Sequence, residues 1–147
     1  MSDEKYMSIA LDEAKKAYDE GEVPVGAIIV KNGEIISVAH NNREATNDAT
    51  GHAETLAIRK ACEIIGSWRL EDCELYVTLE PCPMCMGAII NSRIKRVVYG
   101  AKDAKAGACG SVLNLTSYPL NHKPAVVSGI MCDECADILS DFFANKR

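Results

Sequence analysis

Apolar residues fall at two different periods along this chain, and the changes of period mark its elements. Ile9, Ala10, Ala14 and Ala17 recur at helical spacing behind Ser2, a capping residue, so a helix is predicted from there to about Glu20, with Gly21 ending it. VGAIIV (25–30) and EIISVAH (34–40) are rich in β-branched residues, and the Asn32-Gly33 pair between them is a strong hairpin signal. Apolar positions 53, 56, 57, 61, 64 and 65 restore the helical period, which Gly66 closes. CELYVTL (73–79) and RVVYG (96–100) read as strands, with a helix beginning at CMGAIINS (85–92) between them; a helical crossover predicts that the two strands run parallel. AVVSG (125–129) gives a last strand and DECADILSDFFANK (133–146) an amphipathic last helix, while 41–51 and 101–124 show neither period and read as irregular. The order α-β-β-α-β-α-β-β-α predicts an α/β fold of three layers, α/β/α, around a central mixed sheet of about five strands.

Length changes this picture little: 147 residues suit one domain, 1–147, with a single core. No apolar run reaches the roughly 20 residues of a membrane span. The first twenty residues are charged and helix-patterned, unlike a secretory signal. Both features point to a cytoplasmic protein without membrane attachment. A net charge of −5 argues against a broad nucleic-acid surface, yet leaves room for a local basic patch.

Cysteine changes the picture more. There are seven, and in a reducing compartment they read as buried thiols, metal ligands or catalytic groups. Cys82 and Cys85 stand in Pro81-Cys82-Pro83-Met84-Cys85, at the junction from strand to helix. Unpaired amides and the helix dipole favour thiolates there, and proline tolerates a first helical turn. Such a pair can serve redox chemistry, a structural metal or a catalytic one. His52 and Glu54 open another helix, and both helix starts can meet at the carboxyl edge of the sheet. His52, Cys82 and Cys85 would give zinc three protein ligands and leave a fourth position for water, the pattern of a catalytic site. Glu54, two residues after a ligand, is placed to take a proton from that water. His-x-Glu with Pro-Cys-x-x-Cys is the signature of zinc-dependent nucleobase deaminases. A structural zinc module is the competing reading; it would need a fourth ligand from Cys73, Cys109 or Cys132 and would leave Glu54 idle. The second pair, Cys132 and Cys135, has no His-x-Glu to complete it and reads as thiols at a helix start, with Cys62, Cys73 and Cys109 as packing residues. His40 and His122 read as ordinary polar histidines, and Trp68 as core or interface.

Around these motifs the chain resembles the bacterial tRNA-specific adenosine deaminases along nearly its whole length. The resemblance runs through GEVPVGAIIV (21–30), AHN with Arg43-Glu44, HAE (52–54), GSWRLEDCELYVTLEPCPMC (66–85), SRIKRVVYGAKDAKAGACGS (92–111) and LSDFF (139–143). HAE and PCxxC are common to the cytidine-deaminase-like superfamily; the 92–111 stretch and the last helix are the parts similar to the tRNA enzymes. The resemblance implies a cytidine-deaminase-like fold, one zinc per subunit, and hydrolysis of adenosine to inosine at tRNA position 34. Zinc-activated water would attack C6, with Glu54 as proton shuttle. It further implies that Asn41 contacts the target nucleoside, that Val25 walls the base pocket, that Asp103 and Lys105 lie near the RNA sugar and backbone, and that a homodimer binds the anticodon stem-loop. The basic residues Arg93, Lys95, Arg96, Lys102, Lys105, Lys146 and Arg147, with Phe142 and Phe143, are candidates for RNA contact. The alternative is a small-molecule nucleobase deaminase acting on guanine or cytosine. Two differences from the tRNA enzymes bear on this: Met86 stands where alanine is usual, and Asp48-Ala49-Thr50-Gly51 stands where Asp-Pro-Thr-Ala is usual, which predicts a looser approach to His52.

Overall fold

The structure is a computed structural model that describes residues 1–146; Arg147 lies outside them. Helix α1 (Asp3–Asp19) starts on the Ser2 hydroxyl, which accepts from the Lys5 amide at 3.3 Å, and Asp3 and Glu4 in its first turn complement the helix dipole. Strands β1 (Gly26–Lys31) and β2 (Glu34–His40) form the hairpin, with Asn32 and Gly33 both at positive φ, 49° and 81°, as its tight turn requires. Helix α2 (Arg43–Thr46) is one turn inside the stretch expected to be irregular. It is held from outside, where the buried Glu22 carboxylate accepts from the amides of Glu44 at 3.0 Å and Ala45 at 2.8 Å.

Helix α3 (Ala53–Ile65) ends on Gly66 at φ +78°. Strand β3 (Cys73–Leu79) leads into α4 (Pro83–Asn91), which begins two residues earlier than expected, because Pro83 fits the first turn and Cys82 takes the cap position. After β4 (Arg96–Ala101) the chain is irregular apart from a 3₁₀ turn, Leu115–Ser117. A short β5 (Ala125–Val127) and α5 (Cys132–Asn145) complete the structure. None of these helices is long and apolar enough to cross a membrane.

The five strands make one mixed sheet in the order β2-β1-β3-β4-β5, with β1 antiparallel to β2 and β3, and β3, β4 and β5 parallel. Alternate strand positions face opposite layers. Ala27, Ile29, Leu75, Val77 and Val97 pack with Ala57 and Ala61 of α3 and Ile89 of α4. Ile28, Val30, Tyr76 and Val98 pack with Met7, Ala10 and Leu11 of α1 and Cys135 of α5. Being covered on both faces, β3 and β4 read as nearly continuous apolar runs rather than as alternating ones. Each fully buried Leu, Ile or Val contributes about 1.5–3 kcal/mol. Gly26 lets α1 approach β1 closely, since a methyl group there would overlap the Ala10 carbonyl oxygen.

The two edges of the sheet serve different purposes. At the amino end of β4, Arg96 is bound to Asp3 at 2.7 Å, and the Tyr76 hydroxyl donates to the same carboxylate at 2.7 Å. Arg96 thus ties α1 to the sheet and is not the free RNA-facing cation that its basic neighbours suggest. At the carboxyl end of β3, the reversed direction of β1 brings Gly26 alongside, where its amide donates to the Thr78 hydroxyl at 3.1 Å, and Gly26 pairs in turn with His40 at the end of β2. Val25, Asn41 and the Glu80–Cys82 turn therefore arrive at one edge.

Candidate active site

His52 is the residue before α3, in extended conformation, and its side chain makes no capping hydrogen bond. The ring is turned to the sulfurs instead: Nδ1 lies 3.6 Å from Cys82 Sγ and 3.4 Å from Cys85 Sγ. These distances fit zinc. With Zn–S of about 2.3 Å, Zn–N of about 2.0 Å and tetrahedral angles, an S···N edge measures roughly 3.5 Å. Among the described residues this trio is the one His, Cys, Asp or Glu group whose ligand atoms all lie close together, within 4.8 Å of one another. Cys73, Cys109 and Cys132 are not in it, so the closed four-ligand site of a structural zinc module is not formed.

The trio is electrically prepared for a cation. A hydrogen bond from Cys85, aided by His52, outweighs burial and pulls Cys82 down to about 4. The same hydrogen bond, with burial, pushes Cys85 strongly up, and the bond to Cys82 raises His52. Metal binding would release the protons that these ligands still carry.

Glu54 is the second residue of α3 and is buried. Burial pushes its carboxyl up to about 7, against the opposing pull of a backbone hydrogen bond and His52. A cavity of about 170 Å³ opens on His52, Glu54 and Cys82. Val23, Val25, Asn41 and Arg43 line it from the β1–β2 end of the chain, and Leu79, Glu80, Asp103 and Ala106 from the β3–β4 end.

The sequence-based site residues meet here with one exception. The Asn41 carboxamide oxygen accepts from the Ala53 amide at 2.8 Å, which supplies the cap that the His52 side chain does not. Asp103 lines the cavity while its carboxylate accepts from the amides of Lys105 at 3.0 Å and Ala106 at 3.1 Å, so it also shapes its own turn. Lys105 is exposed beside Asp103 and is not part of the lining. Met86 is fully buried with its sulfur 3.4 Å from Cys109 Sγ, outside the lining, so its size does not shape the cavity wall. The approach to His52 is closed rather than loose: Asp48 accepts from the Thr50 amide at 2.9 Å and hydroxyl at 2.6 Å, and the Gly51 amide donates to the Asp48 carbonyl at 2.9 Å.

Elsewhere, His40 bridges Glu13 and Glu20, each at 3.0 Å, and His122 donates to the Ile94 carbonyl at 2.6 Å. Trp68 is exposed, with the guanidinium groups of Arg69 and Arg93 over its ring. Sequence reasoning passed over Glu22, Glu80 and Arg43. For Glu80 the one available signal is a carboxylate at the end of a buried strand, directly before Pro81-Cys82.

The family model for the cytidine and deoxycytidylate deaminase zinc-binding region matches residues 1–101. The chain is 53% identical, over 146 residues, to the tRNA-specific adenosine deaminase of Bacillus subtilis (strain 168), an alignment covering 99% of this chain and 91% of that one. The chain belongs to the tRNA-specific adenosine deaminase family. The family's enzyme from Aquifex aeolicus (strain VF5) is 50% identical over 148 residues, covering 100% of this chain and 97% of that one. A solved structure from a study of A-to-I editing by tRNA:A34 deaminases superposes with a TM-score of 0.90 at 46% identity, covering 92% of this chain and 99% of that chain. The five-stranded mixed sheet with helices on both faces is that fold, and the chain is a zinc-dependent hydrolytic deaminase with one zinc per chain, for which His52, Cys82 and Cys85 are the group that could hold it.

Proposed function

We propose that this protein hydrolyses adenosine to inosine at wobble position 34 of tRNA. The observation that carries the reading is that the His52, Cys82 and Cys85 ligand atoms lie together, and that His52 and Cys82 share one cavity with the buried Glu54 carboxyl. When bound there, zinc lowers the pKa of a water towards about 7 and so supplies a nucleophile at neutral pH. Glu54 would carry one proton of that water to N1 of the adenine ring and then the second, from the new C6 hydroxyl, to the departing amino group. The C6–N bond breaks, a C6–O bond forms, and ammonia and inosine are the products. A carboxyl raised by burial to about 7 suits this exchange, because it can both hold and give up a proton near neutrality.

The Asn41 carboxamide spends its oxygen on Ala53 and keeps its amino group for the nucleoside. Val25 provides apolar wall for the base, and Asp103 reaches the neighbouring sugar, with Lys105 at the rim towards the backbone. A wobble base in a single-stranded loop suits such a site, because it enters without opening a duplex. In this reading residues 1–147 work as one domain in the cytoplasm, as a homodimer on the anticodon stem-loop. The exposed apolar side chains of Ile64, Trp68, Val112 and Tyr118 are surface available to a partner subunit.

The test is inosine formation in an A34 anticodon stem-loop, compared with ammonia release from free guanine, cytosine, adenosine and cytidine. Inosine confined to position 34, with the free compounds untouched, is the expected result. Activity on a free base alone would replace the tRNA reading with a small-molecule one.

A further inference from the structure

We propose that Glu80 is a positioning residue for the substrate: its buried carboxylate fixes the 102–111 segment as a wall of the cavity and so sets RNA affinity. The inference rests on the tRNA reading above.

Glu80 is only 2% exposed, and a carboxylate at that depth is tolerated only if its oxygens are well satisfied. They are. Oε1 accepts from the Asp103 amide at 3.1 Å and from the Ser111 hydroxyl; Oε2 accepts from the amides of Cys109 at 2.9 Å and Ser111 at 3.2 Å. All four donors belong to one segment, and that segment has no strand or helix of its own to hold it. Its other backbone ties are mostly to itself and to residues 112–115: Gly107 to Asp103 at 2.9 Å, Gly110 to Leu113 at 2.9 Å, Val112 and Leu113 to Gly107 at 3.0 and 3.2 Å, and Leu115 to Ala108 at 3.0 Å. Towards the cavity side of the sheet there is the Ala108 amide to the Pro81 carbonyl at 2.8 Å. Gly107 shows how closely the segment wraps the carboxylate, since a methyl group at that position would overlap it.

The segment matters because Asp103 and Ala106 project from it onto the cavity. Glu80 therefore links the strand end that leads to Cys82 with the wall that a nucleotide beside the target would touch. With both oxygens already engaged, it has no acceptor capacity left for the chemistry, although it borders the cavity. Cys82 has separate support, because its carbonyl accepts from the Met86 amide at 2.9 Å at the start of α4. Loss of the Glu80 carboxylate should therefore loosen the wall and spare the ligand.

Glu80→Gln keeps the volume but turns one acceptor into a donor facing N–H groups. Ser111→Ala removes a single donor at an exposed residue and serves should Glu80→Gln fail to fold. Both are compared with the parent on an A34 stem-loop for zinc content, kcat and KM. Zinc is expected to stay at one per chain and kcat within about threefold, while KM rises about tenfold for Glu80→Gln and less for Ser111→Ala. An unchanged KM, a loss of zinc, or a fall in kcat at constant KM would each overturn the inference. A parent that makes no inosine in the stem-loop would overturn the tRNA reading, and this inference with it; an active parent with indifferent variants would overturn this inference alone.

Discussion

The side chain of Asn41 stands in for that of His52 at the start of α3: its carboxamide oxygen accepts from the Ala53 amide at 2.8 Å, while the imidazole is turned to the cysteines. Asn41 thus joins helix capping to the substrate cavity, and two variants separate these roles. Asn41→Ala loses both and is expected to cost about 1 kcal/mol of stability. Asn41→Asp keeps an acceptor, which the helix dipole favours, but loses the amino donor. Urea unfolding should leave Asn41→Asp near the parent, while steady-state kinetics show a raised KM. An Asp variant as active as the parent would remove the amide donor from substrate recognition.

Glu54→Gln preserves shape and removes the proton carrier. Zinc measured by mass spectrometry should remain at one per chain, and kcat should fall by about 10²–10⁴-fold. Cys82→Ala should instead lose the metal, and with it the extra stability that a ligand bound only to the folded state confers. A zinc-loaded Glu54→Gln with parental kcat would remove Glu54 from the mechanism.

The Asp3–Arg96 pair gives stability a dependence on pH. The hydrogen bond from Arg96, aided by Tyr76, holds Asp3 below its ordinary value of 3.8 despite partial burial. A depressed carboxyl stabilises the fold above its unfolded pKa, and that contribution is lost as pH falls through the folded one. Asp3→Asn should therefore be less stable than the parent at pH 7 by about 1–2 kcal/mol. Urea midpoints should converge as pH falls below 3.8. A gap that persists in acid would mean that Asp3 acts through packing rather than charge.

Gly26→Ala forces a methyl group against the Ala10 carbonyl and the Ala14 amide, both backbone atoms of α1 that cannot rotate away. The expected cost is about 1–3 kcal/mol, read as a lower midpoint in thermal or urea unfolding. Unchanged stability would show that α1 can move outward freely.

The sheet was legible because β3 and β4 are covered on both faces, so their apolar runs are unbroken and bounded by turn residues. The candidate metal ligands were legible because His-x-Glu and Pro-Cys-x-x-Cys are each short and chemically restrictive, although 30 positions separate His52 from Cys82. What escaped depends on partners remote in sequence. α2 is too short to carry a period and is held by Glu22, some twenty positions earlier. The grip of Glu80 is on amides of residues 103–111, which no pattern around Glu80 announces. Arg96 looked like part of a basic cluster because Asp3, its partner, is 93 positions away. Trp68, read as core or interface, is exposed and so is not core, and Lys105 shares the turn of Asp103 without reaching the cavity. The start of α4 was read two residues late because the apolar run that marks the helix begins only at Cys85, although Pro83 already sits in its first turn.

The candidate metal ligands are mounted on the starts of α3 and α4, which pack in the core, while Arg43, Asp103 and Ala106 of the cavity wall stand on segments fastened by the carboxylates of Glu22 and Glu80. The chemistry and the choice of substrate are thus mechanically separable. A change within residues 102–111 or 43–46 reaches the cavity through its wall and not through the ligand-bearing helix starts.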